Sequence, residues 1–148
     1  MKDSGLFSMS DKLEQEEEFI TPPPSDEMSP QDKKAAEIAE LSKKGYHLLK
    51  ENKIHEANAA FNEILNLEEN NNYALVGLGD SERKQGHFKE AIEFYSRCLD
   101  YHFGNNYALF GLADCYKALN QYHKAIDIWE KYLIHDDRNI TVLTRVAD

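Results

Sequence analysis

Alanine stands at positions 57, 91 and 125, a spacing of 34 residues twice over. Gly45, Gly79 and Ala113 keep the same interval, as do Leu41, Leu75 and Leu109 and the aromatic series Phe61, Tyr95 and Trp129. Asn52, Gly86 and Asn120 hold the register between them. A period of this length, with small residues and aromatics in fixed phase, marks stacked helix–turn–helix units. One such unit cannot cover its own apolar face, so each depends on its neighbour.

Helices follow from the pattern inside each period. Ser29 caps a helix start, Pro30 suits the first helical position, and Asp32 favours the positive helix end. Ala35, Ile38, Leu41, Gly45, Leu48 and Leu49 then fall on one face, which predicts a first helix over 30–51. Asn52 ends it, because Asn tolerates the left-handed backbone that closes helices, and Gly86 and Asn120 do the same later. A second helix starts near His55, and further pairs are predicted at 72–85 with 88–101 and at 106–119 with 122–135. Asn71-Asn72, Asn105-Asn106 and Asn139 mark the entry to each following unit as caps. All four prolines lie at 22–30, none beyond the first position of the first helix, and no period-two strand pattern is present.

The small residues let antiparallel helices approach: Gly45 with Ala57, Gly79 with Ala91, Ala113 with Ala125. Phe61, Tyr95 and Trp129 are expected to fill the space between one unit and the next. Glycine inside a helix costs about 1 kcal/mol, so Gly77, Gly79 and Gly111 need a packing or surface reason.

On these residues the chain resembles the tetratricopeptide-repeat family over 38–139. The resemblance implies an all-α, right-handed superhelical solenoid of antiparallel helix pairs: three units at about 38–71, 72–105 and 106–139, and a truncated fourth begun at 140–148. One family feature is missing: the helix-ending proline between units is replaced by Glu69, Phe103 and Asp137, and slightly less rigid junctions are expected there.

The resemblance also implies a concave groove, lined by the first helix of each unit, that takes peptides. Its lining here is Tyr46, Tyr73, Val76, Gly77, Asp80, Arg83, Tyr107, Phe110, Gly111, Asp114, Lys117 and Asp148, with Ser42, Leu49, Lys84, Thr141 and Thr144 beside them. Asp80, Asp114 and Asp148 form a ladder at the repeat interval. They would accept hydrogen bonds from an extended ligand, or pair locally with Arg83 and Lys117 three residues on; both readings stay open. Tyr73 and Tyr107 above Gly77 and Gly111 read either as rigid rings over a deepened surface that suits recognition or as packing against the preceding helix. Co-chaperone members of the family hold a C-terminal carboxylate with cations and asparagine at the places occupied here by Ser42, Tyr46, Gly77, Tyr107 and Gly111. None of these carries charge, which excludes a chaperone-tail clamp.

The N-terminal residues 1–29 read as a disordered, acidic, Pro-containing arm. Through residue 34 the chain has 9 acidic residues against 4 basic, a net of −5, and few apolar side chains to offset ordering entropy. Leu6, Phe7, Met9, Leu13, Phe19 and Ile20 offer a binding motif on a transient helix, though a solvating tail is the simpler expectation. At the other end, Leu143, Val146 and Ala147 repeat the Leu109, Leu112, Ala113 pattern and then the chain stops, which reads as a fragment of a longer repeat protein or as a short capping helix.

Composition narrows the partners. A formal charge of −10 disfavours a sequence-independent grip on nucleic acid and an anionic membrane surface. No run of apolar residues is long enough to span a bilayer, and the start lacks a signal-peptide pattern. Two cysteines, Cys98 and Cys115, make no disulfide framework and fit a reducing, cytoplasmic setting. The six histidines form no i,i+4 pair and the cysteines no Cys-x-x-Cys, so no catalytic, metal or cofactor residues are read. The leading expectation is a protein-interaction scaffold that binds a peptide or helix of a partner and is not an enzyme. Two alternatives stay open: an accessory repeat region of a larger enzyme, for example a glycosyltransferase, or weak self-association through the C-terminal end.

Overall fold

The computed structural model describes residues 8–17 and 28–135; the expectations for residues 136–148, Asn139 and Asp148 among them, lie outside these. Seven helices make up the described residues: α1 (Met9–Glu17), α2 (Pro30–Lys50), α3 (Ile54–Leu67), α4 (Asn72–Lys84), α5 (Phe88–Tyr101), α6 (Asn106–Ala118) and α7 (Tyr122–His135). From α2 onward they form three hairpins, α2–α3, α4–α5 and α6–α7, each packed on the next. The predicted boundaries hold to within a residue or two. The arm differs from the simpler expectation of a solvating tail, because residues 9–17 form a helix, the alternative that Met9 and Leu13 offered; the expectations for residues 1–7 and 18–27 lie outside the described residues.

Each hairpin turns by the same device. Asn52, Gly86 and Asn120 all take positive φ, at 62°, 82° and 61°. The residue after each then donates back to a carbonyl five positions earlier: Lys53 to Leu48 at 2.9 Å, His87 to Glu82 at 2.8 Å and Gln121 to Tyr116 at 2.8 Å. This closure satisfies carbonyls that the last helical turn leaves open.

The junctions between hairpins have their own left-handed residues, Asn70 and Gly104, with φ of 60° and 86°. They stand one residue after the positions of the missing prolines and are themselves 34 apart. Arg97 Nε donates to Asn70 Oδ1 at 2.6 Å, and a ring nitrogen of His102 lies 2.7 Å from the Asn70 carbonyl oxygen, so α5 ties down the first junction. Asn71 and Asn105 cap the next helices, accepting from the amides of Ala74 at 3.1 Å and Ala108 at 3.0 Å.

The core runs unbroken through the stack, with Ala57, Phe61, Leu75, Ala91, Tyr95, Cys98, Ala108 and Cys115 fully enclosed or nearly so. Ala91 has no exposed surface. Replacing it with leucine is expected to overfill this site and to cost about 1–3 kcal/mol, read as a lower denaturation midpoint. An unchanged midpoint would contradict the packing described here.

Candidate functional site

Helices α2, α4 and α6 lie side by side, and their shared face is where the candidate residues were placed. α1 is seated on it. Ser8 and Asp11 start this helix reciprocally: the Asp11 amide donates to Ser8 Oγ at 3.1 Å and the Ser8 amide donates to Asp11 Oδ2 at 3.2 Å. Such a box satisfies two amides that a helix start leaves open. Positions 9, 10, 12 and 13 then share one face. Met9, Ser10 and Leu13 are buried and Lys12 is half-buried. Burying each of the two apolar side chains contributes about 1.5–3 kcal/mol before ordering costs.

Lys12 Nζ lies 5.9 Å from the ring centroids of both Tyr73 and Tyr107. An ammonium over a ring at this range gains about 0.5–1 kcal/mol from the ring quadrupole. The two tyrosines are one repeat apart, so stacking of α4 on α6 is what brings them to a single cation. Tyr46 holds α2 in register with them, its hydroxyl donating to the Tyr73 carbonyl oxygen at 2.7 Å; burial pushes its phenol well above the usual range. Clefts of about 360 and 320 Å³ flank α1, and Leu13 borders both.

Deeper on the same face the two described carboxylates of the ladder, Asp80 and Asp114, are partnered internally. Arg83 Nη1 donates to Asp114 Oδ2 at 2.9 Å, and Arg83 Nη2 lies 3.4 Å from Asp80 Oδ1. The Tyr95 hydroxyl donates to Asp80 as well. The local pairing expected between Asp80 and Arg83 is present. For Asp114 the cation comes from the preceding unit, where Lys117 had been expected; Lys117 is exposed. Burial would lower the Arg83 guanidinium, but Tyr95, Asp80 and Asp114 around it reverse this and raise it further. Arg83 thus bridges the carboxylates of two successive units.

Gly77 and Gly111 need correcting. They were expected to deepen the groove, but both are buried and point the other way. A Cβ at Gly45 would sit 2.6 Å from Phe61 Cε1, and one at Gly77 would meet the same ring closer still. Gly79 and Gly111 flank the Tyr95 ring in the same manner. The four glycines form two slots, each holding an aromatic ring between successive first helices. The signal was in the sequence: Phe61 is 16 residues from both Gly45 and Gly77, and Tyr95 is 16 from both Gly79 and Gly111.

The remaining positions divide. Val76 is buried and Phe110 half-buried. Ser42 turns its hydroxyl to the Ile38 carbonyl oxygen at 2.8 Å, and Leu49 is buried. Lys84 donates to the Leu49 carbonyl oxygen at 2.7 Å, capping the end of α2 from the next unit. Burial pushes the thiols of Cys98 and Cys115 up to about 12, which leaves little thiolate for chemistry near neutrality. Glu82, His87 and Glu90 gather at the α4–α5 turn, a grouping not read from sequence. His87 and Glu90 are exposed and Glu82 is half-buried, and His87 Nδ1 already lies 2.9 Å from Glu82 Oε2.

The family description Tetratricopeptide repeat matches residues 42–101 and again 82–143. The chain belongs to the tetratricopeptide-repeat family. Solved repeat structures agree in fold. The TPR domain of Arabidopsis FLU is 26% identical, with a TM-score of 0.61 over 72% of this chain and 99% of that one. The first TPR of Spaghetti (RPAP3), bound to the HSP90 peptide SRMEEVD, is 15% identical, with a TM-score of 0.67 over 75% of this chain and 88% of that one. The second TPR domain of human RPAP3, in complex with the HSP70 peptide SGPTIEEVD, is 14% identical, with a TM-score of 0.66 over 77% and 95%. No curated protein matches the sequence. As in other tetratricopeptide repeats, the helices α2, α4 and α6 form the inner row, and no helix among the described residues is long and apolar enough to cross a membrane.

Proposed function

We propose that this tetratricopeptide-repeat chain is a non-catalytic interaction scaffold whose inner face takes a short segment, in helical form, from a partner protein. One observation carries this reading: the face already accommodates a helix, with Met9 and Leu13 buried on it and Lys12 set between Tyr73 and Tyr107. A surface that seats an amphipathic helix through apolar anchors one turn apart is the helix-in-groove mode of recognition. That two neighbours in fold hold peptides supports a protein partner. Their peptides end in acidic residues, whereas the clamp positions here, Ser42, Tyr46, Gly77, Tyr107 and Gly111, hold no cation, and Asp80 and Asp114 are carried on the same inner helices. The partner segment is therefore apolar with a basic residue, and a chaperone tail is disfavoured. A reducing, cytoplasmic setting suits the two buried thiols.

The test uses the full chain. A partner is captured, purified, and titrated against wild type and against Tyr73→Ala/Tyr107→Ala. The double substitution is expected to weaken binding by about tenfold or more, since interface aromatics commonly carry this much, while helicity measured by circular dichroism stays unchanged. Wild-type affinity in the double variant would place the binding surface elsewhere.

A further inference from the structure

We propose that α1 is an intramolecular ligand of the inner face, and that a partner enters by displacing it with a helix of the same chemistry. The inference rests on the functional reading above and specifies the occupant: a helix with apolar residues four apart and a lysine or arginine just before the second, as in Met9, Lys12 and Leu13.

Three features of the site converge. α1 brings its own start signal, the reciprocal pair of Ser8 and Asp11, so its first amides are satisfied without help from the repeats. Its buried face touches the very residues that the repeat geometry presents: Lys12 reaches two tyrosines from different units, and Leu13 borders clefts lined by Ile38 and Tyr73 on one side and by Tyr46 on the other. Its attachment is also small. Nine residues with two buried apolar anchors make a helix that is marginal by itself, held by a tether of twelve residues, 18–29, to α2. A tether of that length keeps the local concentration of α1 near the millimolar range. An outside helix must overcome this, and one that repeats the same anchors with more contacts can do so. The open clefts beside α1 give a longer helix room to gain those contacts.

The probe is a labelled synthetic peptide of residues 8–17, titrated by fluorescence anisotropy against the full wild-type chain and the full Leu13→Asp chain. Leu13→Asp places a charge on the docked face of α1 and leaves the repeats intact, which circular dichroism verifies. The peptide is expected to bind Leu13→Asp at least about fivefold more tightly than wild type, because the competing tethered helix is gone. A peptide carrying Lys12→Glu is expected to lose that binding. In parallel, amide exchange of residues 9–17 is expected to be slow in wild type and to speed up at least about tenfold in Leu13→Asp. Equal peptide affinity for the two chains, or equally fast exchange of 9–17 in both, overturns the proposal. The outcomes separate the two readings. If α1 is protected and released as described while Tyr73→Ala/Tyr107→Ala leaves partner binding intact, the docking stands and the groove reading fails. If the double variant loses its partner while α1 is unprotected in wild type, the groove stands and the intramolecular ligand is ruled out.

Discussion

Phe61→Ala is expected to destabilise the repeats by about 3–5 kcal/mol, the range for emptying a core site of a phenylalanine. The ring is fully buried and lies between Gly45 of α2 and Gly77 of α4. It meets the Tyr46 ring edge-on, with centroids 5.0 Å apart and planes at 68°, a geometry that adds to simple burial. The site cannot collapse easily, because two glycine-bearing helix surfaces have no side chains to move into the space. A domain of this size has a total stability of about 5–15 kcal/mol, so the loss approaches what the fold has to spare. Chemical denaturation of wild type and variant checks this through the shift in midpoint at unchanged slope. A loss below about 1 kcal/mol would mean that the ring is not the wedge between the first two units.

The repeats were legible in the sequence because their turns demand particular residues. Positive φ is costly for most side chains, so Asn52, Gly86 and Asn120 at one interval locate three hairpin turns without reference to anything distant. Asn71 and Asn105 locate helix starts in the same local way. The Asp80–Arg83 pair was also readable, being three apart on one helix. The bond from Arg83 to Asp114 was not, since it depends on how far α6 is rotated against α4, and no spacing within one helix reports that. The same limit explains the glycines: a helical position near the edge of the inner face is assigned by a few tens of degrees, and Gly77 and Gly111 fall on the packed side. α1 was only the less favoured reading for a different reason. It lies outside the repeat period, its composition is acidic and polar, and nine residues carry too little periodicity to overrule that. Its docking is decided by Tyr73 and Tyr107, which come together only after the units stack. The Ser8–Asp11 box was a local signal that would have strengthened the helical reading of Met9 and Leu13.

The slot makes a sharper prediction when both of its sides are changed together. Gly77→Leu alone is expected to cost up to about 2 kcal/mol: overpacking typically costs about 1–3, and replacing a helical glycine returns close to 1. A Cβ at this position already overlaps Phe61, and the ring has no free side to yield toward, because Gly45 on α2 is equally tight against it. Combining Gly77→Leu with Phe61→Ala puts side-chain volume back from the opposite wall of the cavity. The double variant is then expected to be less destabilised than the sum of the two single variants by about 0.5–3 kcal/mol, the size of coupling found between residues in contact. The exposed turn supplies the control. A side chain at Gly86 meets nothing within 4 Å, and its cost comes only from φ of +82°, so Gly86→Ala should add to Phe61→Ala without coupling. Four denaturation curves for each cycle decide the matter. Coupling at 77 with additivity at 86 separates a glycine kept for the ring beside it from one kept for its backbone, whereas additivity in both cycles would show that Phe61 and Gly77 do not share the slot.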